Sequence, residues 1–170
     1  MAEVGQVAAR ISETLRELGD QVADASRTQS ASASLAVGKI WEIDGELDAA
    51  EEAYTRATCR DPDLAEAFAR LALTQAKNGN RSGAIRTASR LLSSHPGATF
   101  GSLLQRHQVS SESVFGEVLL GAGRTDAATE AFERALEVNP GDPLACSRLT
   151  RLSLASGNAD RAVKLVSDST

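Results

Sequence analysis

Aromatic side chains are scarce in this chain: one Trp, one Tyr and four Phe among 170 residues. Proline occurs four times and cysteine only twice. A core with so few rings must be built mainly from Ala, Leu and Val. Such a core suits closely packed helices and argues against a β-sandwich, which relies on β-branched and aromatic strands. No apolar run approaches the ~20 residues that a membrane-spanning helix needs. The first residues carry an early acid, Glu3, and no continuous apolar stretch, so they do not read as a secretory signal. Hydrophobic residues at 42% and charged residues at 24% mark a chain that folds.

Basic charge is also in short supply. Lys plus Arg is 18 against 23 for Asp plus Glu, a net charge of −5 and a pI near 5.1. A nucleic-acid binder would carry a basic stripe, so no nucleic-acid partner is expected. Cys59 and Cys146 follow no metal or redox spacing and read as free thiols in a cytoplasmic, reducing setting. Cys146 falls in a helix-packing column, where a small buried thiol is at home. His95 and His107 have no ligand partner at metal-binding spacing. Phosphate-binding glycine loops, dinucleotide fingerprints and nucleophile elbows are absent from the sequence. Paired acids such as Glu51-Glu52, Asp61 with Asp63, and Glu130 with Glu133 read as solvated helix faces or caps. The expectation is a non-enzyme with no cofactor, no metal and no membrane insertion.

What the chain does have is an internal period. Gly45, Gly79, Gly123 and Gly157 are separated by 34, 44 and 34 residues. Ala50, Ala84, Ala128 and Ala162 repeat the same steps, and Pro62, Pro96 and Pro140 repeat the first two. Aligned on that step, the units are residues 31–64, 65–98, 109–142 and 143–170, with an insertion at 99–108. Within each unit the apolar residues recur at spacings of three and four around the glycine, which is helical and not strand periodicity. The glycine is expected to end the first helix of a hairpin in a left-handed conformation. Asn80 and Asn158 stand ready to cap the second helix. Asp63 with Glu66 suggests a capping box, and Asp142-Pro143 an N-cap followed by proline at the first helical position. Gly38, Ala72 and Gly116 are small residues at mid-helix, where a larger side chain would hold the two helices of a hairpin apart.

These columns resemble the tetratricopeptide repeat family, a 34-residue helix–turn–helix unit. The first unit carries the pattern in Gly38, Trp41, Ala50, Tyr54, Ala57 and Pro62. The third carries it in Phe115, Gly116, Leu119, Ala128, Phe132, Ala135 and Pro140. The second departs at Ala88, where an aromatic is usual, and the fourth has Thr150 and Val166 in signature columns. The resemblance implies an all-α, right-handed superhelix of about four antiparallel helix hairpins.

Two segments lie outside the repeats. Residues 1–30 place Val4, Val7, Ala8, Ile11, Leu15, Leu18 and Val22 on one helical face. This amphipathic helix is expected to stop near Gly19-Asp20, ahead of a Ser/Ala-rich link, and to cap the first repeat or act as a dimerisation arm. The insertion spaces Phe100, Leu103, Leu104 and His107 as one helical face. It is expected to be an elongated connection, with an inserted helix as the alternative.

The resemblance also implies a function, which is recognition of a peptide or partner helix in the groove lined by the first helices of the hairpins. Its walls would be Leu35, Leu73, Val114 and Leu120, and its orienting charges Lys39, Arg70, Lys77, Arg148 and Arg151. With Glu42, Glu66 and Glu117 the groove holds five basic and three acidic residues, opposite in balance to the whole chain. That balance points to a ligand with carboxylate character. The family's clamp for the acidic C-terminus of heat-shock chaperones is not matched. Lys39 stands where Asn is expected, and the paired basic residues of the third repeat are missing at Ser110 and Val114. The alternatives are a small bacterial chaperone for a secreted or assembling client, and a scaffold that self-associates. The scaffold would form a homo-oligomer through residues 1–18 and the open end at 162–166, where the last repeat has no further helix to cover it.

Overall fold

A computed structural model describes residues 2–101 and 108–168; the side chains of 2–12, 14–20, 22–24 and 168 fall outside that description. Eight helices and two short strands are present among the described residues. In chain order they are α1 (Ala2–Asp44), α2 (Leu47–Arg60), α3 (Ala65–Lys77), α4 (Arg81–Ser94), β1 (Thr99–Gly101), β2 (Gln108–Ser110), α5 (Ser111–Gly121), α6 (Thr125–Val138), α7 (Pro143–Ala155) and α8 (Ala159–Asp168).

Local chemistry explains where each hairpin turns. Gly45, Gly79, Gly123 and Gly157 all lie at φ between 76° and 82°, a region where an L side chain is strained. The residue after each glycine donates its N–H back to a carbonyl five positions earlier. The four bonds run from Glu46 to Trp41, Asn80 to Gln75, Arg124 to Leu119 and Asn158 to Ser153, at 2.8–2.9 Å. This 6→1 bond is the mark of a Schellman stop. The side chains of Asn80 and Asn158 then accept the N–H of Gly83 and Arg161, starting the second helix as expected. Each second helix ends two residues before its proline: at Arg60, Ser94 and Val138.

Packing follows the columns. α1/α2, α3/α4, α5/α6 and α7/α8 form the hairpins, and each second helix packs on the first helix of the next. The four hairpins stack as a right-handed superhelix. The core is fully buried alanine beside a few larger groups, including Tyr54, Leu91, Phe132 and Leu149. Gly38 lies under the Tyr54 ring, where an added Cβ would sit 2.4 Å from a ring carbon. Gly116 lies under Phe132, with a corresponding distance of 2.7 Å. The second hairpin solves the same approach differently, with Ala72 and Ala88 both fully buried and no ring at either of these two positions.

Three local expectations need correction. The helix expected to stop near Gly19-Asp20 continues unbroken to Asp44. One internal glycine costs a helix about 1 kcal/mol relative to alanine, and no proline interrupts residues 2–44, so the run of helix formers prevails. The Ser/Ala-rich stretch is helical too, with the Ser34 hydroxyl donating to the Ser30 carbonyl one turn back. The apolar face expected of Val4 to Val22 lies outside the described side chains. Second, Asp63 and Glu66 form no capping box. Leu64 is the N-cap of α3 and makes no side-chain bond, the Asp61 carboxylate accepts the Asp63 N–H, and Glu66 turns to cations on α1 and α3.

Third, the insertion begins and ends as strand. β1 and β2 pair antiparallel, with Phe100 opposite Val109, and both side chains pack on the core of the second hairpin. A short apolar run has no periodicity long enough to separate helix from strand. The tie from the Ser111 N–H to the Ala98 carbonyl, at 2.8 Å, closes the ladder where α5 begins. Leu103, Leu104 and His107 lie outside the described residues.

Candidate partner-binding groove

The first helices α1, α3, α5 and α7 place equivalent residues at 34- and 44-residue offsets, so the groove reads as columns running across the repeats. Leu35 and Val114, expected to wall apolar pockets, are instead core residues at 6% and 2% exposure. Leu35 packs with Ala50, Tyr54 and Leu71, and Val114 with Phe68, Ala72 and Leu91. The reason is geometric: each sits at the edge of the groove face, Leu35 against α2 and α3, and Val114 against α3 and α4 of the hairpin before it. Leu73 and Leu120 are half-buried against the second-hairpin core and the core shared by the third and fourth hairpins. Cys146 is buried, with its thiol against the Leu165 carbonyl, while Cys59 is exposed.

The charged residues also differ from expectation. Four of the five groove cations are bound to groove acids. Lys39 meets Glu66 at 2.7 Å, and Arg70 meets Glu66 at 2.9 Å and Glu42 at 3.1 Å. Lys77 reaches Glu42 at 2.8 Å, and Arg148 makes a two-pronged pair with Glu117, both bonds 2.6 Å. Apart from Arg70–Glu66, which lies within α3, each pair joins one hairpin to the next. The excess of positive charge is thus taken up in holding the repeats together, and only Arg151 makes no ion pair among the described residues.

Column geometry accounts for the pattern. Arg148 and Glu117 face each other across the third and fourth hairpins. The equivalent positions in the first and second are Arg70 and Lys39, two cations, and Glu66 sits between them to bridge both.

Glu42 is the most enclosed member, with its side chain 9% exposed. Burial pushes its carboxyl up. The hydrogen bonds from Lys77 and Tyr54 and the charges of Lys77 and Arg70 outweigh this, so the group titrates below its usual range. Glu66 is likewise pushed up by burial and held lower by Lys39 and Arg70. The Tyr54 hydroxyl is driven upward by burial and by its bond to Glu42. Carboxyls depressed in the fold stabilise it above their unfolded pKa of about 4.3, and that stabilisation is lost as pH falls through the folded values. Thermal melts between pH 6 and pH 3 should therefore be flat above about pH 4.5 and fall below it. Arg70→Met should cost about 1–2 kcal/mol at neutral pH and make the acid fall shallower. An acid limb unchanged in the variant would show that these pairs do not set it.

Near the last repeat the groove is open. Arg151 and Leu154 are exposed and lie three apart on α7, on one face, and half-buried Leu120 occupies the equivalent column on α5. Sequence reading missed a second exposed apolar group, Val37, Ile40, Trp41 and Ile43 on α1. Val37 and Ile40 fall in columns that are apolar or buried in every later repeat, which is the signal that could have found them. Among the described residues no group of three or more His, Cys, Asp and Glu side chains could hold a metal, and no helix is long and apolar enough to cross a membrane.

Residues 119–170 match the model of the tetratricopeptide repeat family. Among solved structures, the crystal structure of MamA is 21% identical with a TM-score of 0.63, covering 88% of this chain and 81% of that one. TTC0263, a thermophilic tetratricopeptide repeat protein of Thermus thermophilus, is 21% identical with a TM-score of 0.67, covering 82% and 72%. The first tetratricopeptide repeat domain of Spaghetti (RPAP3), bound to the HSP90 peptide SRMEEVD, is 18% identical with a TM-score of 0.64, covering 76% and 95%. No curated protein matches the sequence at a significant level. The fold is the tetratricopeptide repeat solenoid, and residues 119–170, from the end of α5 through α8, carry the family's sequence signature.

Proposed function

We propose that this tetratricopeptide repeat solenoid is a non-catalytic protein-interaction module that grips an extended peptide at the α5–α7 end of its groove. The observation that carries this reading is the distribution of charge. The groove cations of the first two hairpins, Lys39, Arg70 and Lys77, are held by Glu42 and Glu66, and Arg148 by Glu117, so of the five groove cations Arg151 is the one with no ion pair among the described residues. Beside it stand exposed Leu154 and half-buried Leu120. The ligand that fits is a segment with an apolar residue next to a carboxylate, bound by one charge-assisted hydrogen bond and one apolar contact.

The peptide complex of the RPAP3 domain supports peptide binding on this fold. The groove here differs from a multi-cation clamp, because its other cations would have to break ion pairs to reach a ligand. A phage-displayed random peptide library panned on the full chain tests the reading. Acidic–apolar sequences should be enriched, and Arg151→Glu should lower their affinity about tenfold or more. Enriched peptides that bind Arg151→Glu as well as wild type would remove the groove end as the site.

A further inference from the structure

The two outer faces of the solenoid carry exposed apolar side chains. Val37, Ile40 and Trp41 on α1 are 41%, 58% and 38% exposed. Their column partners in later repeats are covered: Leu71 is 6% exposed, Val118 1%, Leu119 3% and Leu149 1%. Leu71, Val118 and Leu149 are covered largely by the second helix of the hairpin before them, whereas Leu119 packs with Ala128 and Phe132 of its own hairpin. Leu71 packs with Ala50, Tyr54 and Ala57 of α2; Val118 with Ala84, Ala88 and Leu91 of α4; Leu149 with Ala128, Phe132 and Ala135 of α6. The face on α1 therefore has a defined complement, the outward side of a second helix of this same repeat.

Among the described residues one such helix has its outward side exposed. α8 is the second helix of the fourth hairpin, and its Val163 is 70% exposed. In the column of Val163 stand Glu51, Ile85 and Thr129. Glu51 accepts from Gln75 of the following hairpin at 3.2 Å, and Gln75 occupies the column of Trp41. Ile85 packs on the cluster that holds Val118, which occupies the column of Ile40. Where the first interior junction uses a polar pair, Glu51 with Gln75, the outer faces offer an apolar one, Val163 with Trp41. A lone exposed apolar residue needs no explanation, but two apolar faces in register with the interior junctions do.

We propose that a second copy of this chain stacks head to tail on the first, α8 of one against the Val37–Trp41 face of α1 of the next. This is an interaction surface distinct from the groove and does not depend on it. Because the two faces differ, the contact is heterologous: it does not close on a dimer and adds copies in line.

The test is sedimentation velocity on the full chain, wild type and two charge variants, Ile40→Glu and Val163→Glu. Both substitutions are at exposed positions, and unchanged helical circular dichroism checks that they fold. Wild type should show a mass that rises with concentration past twice the 17.8 kDa of one chain. Each variant alone should remain at one chain. Mixed in equal amounts, they should give a species of two chains and no larger, since each keeps the face the other has lost. Wild type that stays at 17.8 kDa up to roughly 1 mM overturns the proposal. So do variants that associate as wild type does, which would place the contact elsewhere, and a mixture that fails to restore two chains, which would make the contact symmetric.

Discussion

Asp142→Ala is expected to lower the free energy of unfolding by about 3–5 kcal/mol, more than the loss of an ordinary helix cap at about 1 kcal/mol. The difference comes from where this carboxylate sits. Asp142 is fully buried and accepts four hydrogen bonds. Oδ1 takes the N–H of Leu144 and of Ala145, at 3.0 and 3.1 Å, which caps α7. Oδ2 takes the N–H and the hydroxyl of Ser110, both at 2.8 Å, and Ser110 is itself the N-cap of α5 through Ser113. One side chain thus joins β2 and the start of the third hairpin to the start of the fourth. Its removal leaves buried donors without acceptors, the costly case. Asp142→Asn should be nearly as damaging, because the amide restores one oxygen but turns donors towards Ser110.

In a solenoid such a loss is not shared evenly. Stability is a sum of repeat terms and junction terms, so a broken junction lets the last hairpin open by itself. Chemical denaturation of Asp142→Ala should show a broadened or two-step transition. Hydrogen exchange should quicken in α7 and α8 well before α3 and α4. A shift below about 1 kcal/mol with uniform exchange would show that the carboxylate is only a cap.

Much of the fold could be read from residues whose chemistry acts locally. A left-handed turn demands glycine, so Gly45, Gly79, Gly123 and Gly157 mark the hairpins without reference to any partner. The Asn caps and the Asp142-Pro143 start of α7 are equally local. The groove was less legible because its chemistry is not local. Arg70 finds Glu42 across 28 residues and Arg148 finds Glu117 across 31, and counting charges along a helix cannot show that they neutralise one another. The same holds for the tie between Ser110 and Asp142, 32 residues apart. The strand at Phe100 was lost for a different reason, since three paired residues are too short to leave a period.

The contact between Gly116 and Phe132 gives the second large prediction, because the protein contains both solutions to one packing problem. In the third hairpin a glycine lies under a fully buried ring; in the second, Ala72 and Ala88 fill the same two columns with no ring at all. Gly116→Ala should gain about 1 kcal/mol of helix propensity. It would also place a methyl 2.7 Å from a ring carbon with no room to retreat, and overpacking of that kind costs about 1–3 kcal/mol or somewhat more. The clash should win, for a net loss of about 1–2 kcal/mol.

Phe132→Ala should cost about 3–5 kcal/mol, from lost burial and the cavity left between helices. The double variant recreates the pair of small residues found in the second hairpin. With the ring gone the methyl at 116 has no clash, fills part of the void and keeps its helical advantage. It should therefore be more stable than Phe132→Ala alone by about 1 kcal/mol, although Gly116→Ala is destabilising by itself. Guanidinium melts of the four proteins give the coupling directly. A double variant as unstable as the sum of its parts would show that Gly116 is there for the backbone and not for the ring. The reversal of sign is the signature of a column in which side-chain sizes on facing helices are chosen as pairs.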